Sequence, residues 1–184
     1  MSNIKIAVVV GSLRRDSFNR RFAGALKMLA PADFALNIAE IGDLPLYNQD
    51  DDADQAPAVK RLKSEIAVSS GVLFITPEYN RSVPGVLKNA IDHASRPYGQ
   101  SVWAGKPAGV IGVSVGAMGT ALAQQHLRNI LAYLDMPLLS QPEAFIQVKD
   151  ELFDSGGGIG VASRQFVQGW MDRYATFVRQ HAAV

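Results

Sequence analysis

Cysteine is absent from all 184 residues. Its absence excludes disulfides, thiolate nucleophiles and cysteine-ligated zinc or iron–sulfur centres, so any redox chemistry needs a bound cofactor. An excess of one charge is missing too: 18 Lys and Arg stand against 17 Asp and Glu, a formal net charge of +1. Such a chain sets up no global field for nucleic acid or an anionic membrane, and an anion has to be held locally. No run of about 18 apolar residues occurs, so no membrane span is expected. The opening MSNIKIAVVVGS places a lysine before an apolar stretch, as signal peptides do. That stretch is brief and leads into charged residues, so it reads as a first strand, and a soluble cytoplasmic protein is expected. His93, His126 and His181 lack metal-ligand spacing, and no metal site is expected. The acidic run Asp50, Asp51, Asp52 and Asp54 lacks the positional pattern of a calcium loop and reads as a solvated surface loop.

What the chain does contain is an alternation of two patterns. Apolar, strand-like runs occupy Ile4 to Val10, Phe34 to Ile41, Gly71 to Thr76 and Ala108 to Val115, with a shorter fifth within Ala144 to Val148. Helical patterns fall at Phe18 to Leu29, Pro57 to Ser69, Gly85 to Ser95, Thr120 to Leu134 and Gly160 to Gln180. Strands alternating with helices of this length imply right-handed βαβ units and a parallel sheet. The second run alternates apolar and other residues, as an edge strand does, whereas the first, third and fourth are apolar throughout. The expectation is an α/β, flavodoxin-like, doubly wound fold: a five-stranded parallel sheet of order 2-1-3-4-5 with helices on both faces, filling residues 1–184 as one domain. Gly156 to Gly158 with Gly160 imitates a nucleotide loop, but no apolar strand leads into it, and it reads as the entry to the last helix.

Three loops at the carboxyl edge of such a sheet hold the informative residues. After the first strand comes GSLRRDSFNRRF. A helix starting there offers unpaired N–H groups and the positive end of its dipole; Ser12, Ser17 and Asn19 add donors around a phosphate, and Arg14 adds a fixed charge. The plainer alternative is that Ser17 or Asp16 only caps the helix while the arginines are solvated. Neither GxxxxGK[ST] nor GxGxxG is present, which disfavours ATP and a Rossmann-held NAD. After the third strand, TPEYNRSVPG contains Pro77, which stops the strand, a turn at Glu78 to Asn80 able to face a planar ligand, and Pro84-Gly85, which opens the next helix. After the fourth, VSVGAMGT has Ser114, Gly116 and Gly119, small enough for close backbone approach. With the first and third strands adjacent, these loops converge at the topological switch point.

GSLRRDSFN, TPEYNRSVPGVLKNAID and GKPAGVIGVSVGAMGT with the later HLRNIL resemble the NADPH-dependent FMN reductase family, in particular its bacterial quinone and chromate reductase branch, over nearly the whole chain. The resemblance implies FMN as prosthetic group and NADPH or NADH as hydride donor. By motif, Ser12, Arg14, Ser17, Phe18 and Asn19 would bind the FMN phosphate and ribityl chain. Pro77, Glu78, Tyr79, Asn80 and Arg81 would line the isoalloxazine, with Ser114 and Gly116 flanking it. Arg81 stands where members of this branch often have an aromatic residue, which leaves the shape and charge of the substrate side open. Tyr47, in LPLYNQD, would border the site or pack its loop. No catalytic acid or base is required of the protein when a flavin does the redox chemistry. The resemblance implies quinones, azo compounds or oxidised metal ions such as chromate as small-molecule acceptors, and a homodimer or homotetramer. Two other classes compete. An electron-carrying flavodoxin without NAD(P)H oxidation is usually strongly acidic, unlike this balanced chain. A flavin-free receiver domain needs an acidic pocket where this first strand ends in Gly-Ser.

Overall fold

The computed structural model describes residues 4–182. Five strands form one sheet: β1 (Ile4–Val10), β2 (Phe34–Ala39), β3 (Gly71–Ile75), β4 (Ala108–Ser114) and β5 (Phe145–Gln147). All neighbours are parallel and the order is β2-β1-β3-β4-β5, as expected. Five helices cover it: α1 (Phe18–Leu29), α2 (Pro57–Ala67), α3 (Gly85–Ala94), α4 (Ala121–Tyr133) and α5 (Val161–His181). Each element agrees with its sequence-based range to within two residues.

The two-residue period of the strands divides the core. In β1, Ile6, Val8 and Val10 pack with Phe22 and Leu26 of α1 and Trp170 and Tyr174 of α5. The alternate residues Ala7 and Val9 pack with Leu62 and Ile66 of α2, Leu87 and Ile91 of α3 and Leu127 of α4. A strand buried on both faces needs a continuous apolar run, which is why β1, β3 and β4 lack alternation. The edge strand β2 keeps Asn37 exposed and alternates. Gly109 of β4 is a packing necessity: a Cβ there would lie 2.7 Å from the Tyr174 ring.

Since β1 leads to α1 on one face and β3 to α3 on the other, the chain diverges above these adjacent strands, leaving a crevice at their carboxyl ends. The acidic run is a short 3-10 helix, Gln49–Asp54, with Asn48 capping it and Lys60 paired to Asp54 at 2.8 Å. Before α5, the Gly156–Gly158 segment closes as a turn in which Asp154 Oδ1 accepts from the Gly158 amide at 2.8 Å.

Candidate active site

The first wall of the crevice is the β1–α1 connection. Ser17, in extended backbone, caps α1 by accepting from the Arg20 amide at 3.2 Å. Ser17 therefore acts as the cap, not Asp16. The amides of Phe18 and Asn19 begin the helix with no intrahelical acceptor, and the first turn carries no acidic residue to oppose the dipole. Ser12 and Ser17 are buried at the base of this wall. Arg14 folds over its own loop: Nε donates to the Asp16 carbonyl at 3.1 Å, and the guanidinium sits 5.3 Å from the Phe18 ring centre. Four arginines, Arg14, Arg15, Arg20 and Arg21, ring the adjoining surface depression.

Asn19 behaves differently from its sequence-based reading. Its Nδ2 donates to the Val113 carbonyl at 2.9 Å, and its Oδ1 accepts from the Val113 amide at 3.0 Å. The side chain thus ties α1 to β4.

The second wall follows β3. Tyr79 and Ser82 exchange backbone hydrogen bonds of 3.1 and 3.0 Å around a two-residue turn. Asn80 and Arg81, its central residues, have φ of 51° and 61°. Two consecutive left-handed residues define a type I′ turn, which suits Asn first and glycine second. Arginine in the second place carries strain of about 1–2 kcal/mol. Both flanks of the turn are fastened to α4. Glu78 Oε2 accepts from the Leu122 and Ala123 amides at 3.0 and 3.1 Å, while Ser82 Oγ and His126 Nδ1 share a hydrogen bond of 2.9 Å. Thr120, the residue preceding α4, makes no side-chain cap, so Glu78 supplies that function from another loop.

The third wall follows β4. Ser114 Oγ accepts from the Gly116 amide at 3.1 Å, and the Gly119 amide donates to the Gly116 carbonyl at 3.2 Å. Those two N–H groups are committed within the loop. Gly119, with φ of 53°, is pressed to within 2.4 Å of the Ile146 amide as measured from an ideal Cβ, a fit that only glycine allows.

Together these walls enclose a cleft of about 200 Å³ lined by Ser12, Arg14, Ser17, Phe18, Asn19, Pro77, Glu78, Tyr79, Val113, Ser114 and Val115. Of the residues named from sequence, Asn80, Arg81 and Gly116 lie beside the lining and not in it. Val113 and Val115 were not anticipated; Val113 reads as an ordinary core residue, and only its position at the end of an apolar strand hints otherwise. Tyr47 packs its loop: its amide donates to Asn89 Oδ1 at 2.8 Å and its ring meets His93 edge-on. The donor set fits FMN. Free amides and an arginine at a helix start suit a phosphate, and Pro77, Tyr79 and Val115 form an apolar bed beside it for a planar ring.

Comparison with known proteins leads to the same place. Residues 4–150 match the family model described as NADPH-dependent FMN reductase. The chain is 56% identical over 177 residues to a 2-hydroxy-1,4-benzoquinone reductase of Burkholderia sp., covering 96% of this chain and 97% of that one. It is 53% identical over 180 residues to a quinone reductase of Pseudomonas putida, covering 97% of each. Among solved structures, the flavoenzyme NAD(P)H:(acceptor) oxidoreductase FerB of Paracoccus denitrificans superposes with a TM-score of 0.94 at 46% identity, covering 97% of this chain and 99% of that one. The chain belongs to the NADPH-dependent FMN reductase family and is an NAD(P)H-dependent oxidoreductase with FMN as its cofactor.

Proposed function

We propose that this protein passes electrons from NAD(P)H through FMN to quinones. The observation carrying this reading is the composition of the cleft, where a cationic helix start adjoins an apolar bed that is open to solvent on the Tyr79 side. The names of the quinone-reducing relatives support the choice of acceptor. Bound FMN supplies the hydride acceptor and two-electron store. The chain's own residues bind and orient it. Ser12, Arg14, Ser17, Phe18 and Asn19 hold the phosphate end. Pro77, Glu78, Tyr79, Asn80 and Arg81 frame the ring from one side, and Ser114 and Gly116 from the other. Glu78 acts by positioning, since its carboxylate fixes the turn to α4.

An open cleft of this kind also suits azo compounds and chromate as acceptors. The exposed apolar residues beside it, Tyr79, Val115 and Met118, favour a homodimer or homotetramer that covers part of them. No described helix is long and apolar enough to cross a membrane, which agrees with a cytoplasmic site of action for a single FMN-binding domain. Anaerobic addition of NADPH to the yellow protein, followed by 1,4-benzoquinone, tests the reading. Bleaching of the flavin bands and their return on adding quinone are expected. A flavin that bleaches but is not reoxidised by quinone would rule out the proposed acceptor, and sedimentation velocity reports the assembly.

A further inference from the structure

His126 is exposed on α4 and lies outside the lining of the cleft, yet it is joined to that lining by a continuous chain of hydrogen bonds. Its Nδ1 and Ser82 Oγ share a bond of 2.9 Å across 44 residues of sequence. Ser82 passes the contact inward. Its amide donates to the Tyr79 carbonyl at 3.0 Å, its carbonyl accepts from the Tyr79 amide at 3.1 Å, and Tyr79 lines the cleft.

The turn between Tyr79 and Ser82 needs support from outside. Its central residues, Asn80 and Arg81, both hold positive φ and neither is glycine, a conformation that persists where the surrounding structure over-determines it. Two anchors supply that support. Glu78, before the turn, accepts from the Leu122 and Ala123 amides, and Ser82, at its end, meets His126 about one helical turn further along α4. Glu78 also caps α4, so its loss is felt by the helix as well as by the turn. The bond between Ser82 and His126 has no such second task. It is exposed, water can replace it, and it adds little to the stability of the fold. What it fixes is the place of the turn.

Resting on the reading of the cleft given above, we propose that His126 is a positioning residue for the oxidoreductase reaction: through Ser82 it holds the turn that starts at Tyr79, and so sets the outer wall of the cleft against which FMN and its electron acceptor are aligned. A small displacement of such a wall is costly to an electron-transfer geometry while leaving the fold intact.

The test uses the FMN-loaded enzyme and four variants: His126→Ala, Ser82→Ala, the two combined, and His126→Asn, whose amide puts a polar atom where the imidazole has Nδ1. Stopped flow follows reoxidation of the reduced enzyme by 1,4-benzoquinone. Visible circular dichroism of the oxidised flavin reports its surroundings with no acceptor present, and urea unfolding monitors the fold. Each single alanine variant is expected to slow reoxidation roughly threefold to tenfold. The combined variant is expected to be no slower than either single one, because the two side chains act as a unit. Flavin dichroism is expected to change alike in these three proteins, His126→Asn to restore both signals, and the unfolding midpoints to stay at the wild-type value. Wild-type rates and dichroism in both single variants, losses that add in the combined variant, losses that track a lowered unfolding midpoint, or no recovery in His126→Asn would each overturn the assignment. Reduced wild-type enzyme that benzoquinone fails to reoxidise would instead refute the acceptor reading, and the dichroism would then decide the role of His126 by itself.

Discussion

Glu78 and Leu122, 44 residues apart, are joined by a 3.0 Å hydrogen bond from the Leu122 amide to the Glu78 carboxylate. With the parallel bond from Ala123, this makes a residue of the turn after β3 the N-terminal cap of α4. Glu78→Ala is expected to destabilise the protein by about 1 kcal/mol, the usual cost of losing a cap, and to loosen FMN because the turn loses an anchor. Glu78→Gln keeps an acceptor and loses only the charge–dipole part, a few tenths to about 1 kcal/mol. Thermal unfolding and flavin-release fluorescence on both variants check this. Equal FMN affinity in wild type and Glu78→Ala would show that the anchor has no bearing on the cofactor.

Asn19 satisfies both backbone groups of Val113, a residue only 1% exposed. Asn19→Ala leaves a buried N–H and C=O unpaired and is expected to lower stability by about 2–4 kcal/mol. Urea unfolding measures it. A change below about 0.5 kcal/mol would mean that water replaces the side chain.

Arg14 is exposed and bonds only within its own loop, so the fold does not depend on it. Arg14→Ala is expected to leave stability within about 0.5 kcal/mol of wild type. FMN affinity is expected to fall about tenfold, with a weaker dependence on salt, because one charge-assisted phosphate contact is lost. Riboflavin, lacking the phosphate, is expected to bind both proteins alike, and a tenfold loss with riboflavin as well would move Arg14 away from the phosphate.

Tyr174 is fully buried, and its hydroxyl finds no partner among the described residues. Burial holds its ionisation well above the ordinary tyrosine value. An acid whose folded-state value is raised stabilises the fold below the unfolded value and loses that contribution as pH rises beyond it. Stability is therefore expected to decline above about pH 10, by up to about 1.4 kcal/mol per pH unit from this group. Tyr174→Phe removes both the alkaline decline and the unpaired hydroxyl, so it is expected to be neutral or stabilising by about 1 kcal/mol at neutral pH. Denaturation at pH 8 and pH 10.5 on the two proteins separates these effects.

The elements were legible because each rests on local pattern. Ile4–Val10 and Ala108–Ser114 are continuous apolar runs, and α1 and α3 begin at Ser17 and at Pro84-Gly85, signals that need no tertiary information. The convergence of three loops followed from strand order. Less legible were the side chains whose partners are remote. Asn19 and Ser114 look like ligand donors in a loop motif, yet one binds β4 and the other its own loop. The turn after β3 was legible at Glu78 to Asn80, but its type and its centre at Asn80-Arg81 were not, because Asn-Gly is the usual mark of a type I′ turn and arginine hides it.

The bond between Asn19 and Val113 spans 94 residues of sequence. A chain emerging from the ribosome can build β1 and start α1 early, but that bond forms only after β4 has been made and has docked. Contacts between such distant segments are slow to form. Completion of the crevice is thus a late event in biogenesis, and a nascent chain halted before Val113 lacks the strand to which Asn19 ties the start of α1.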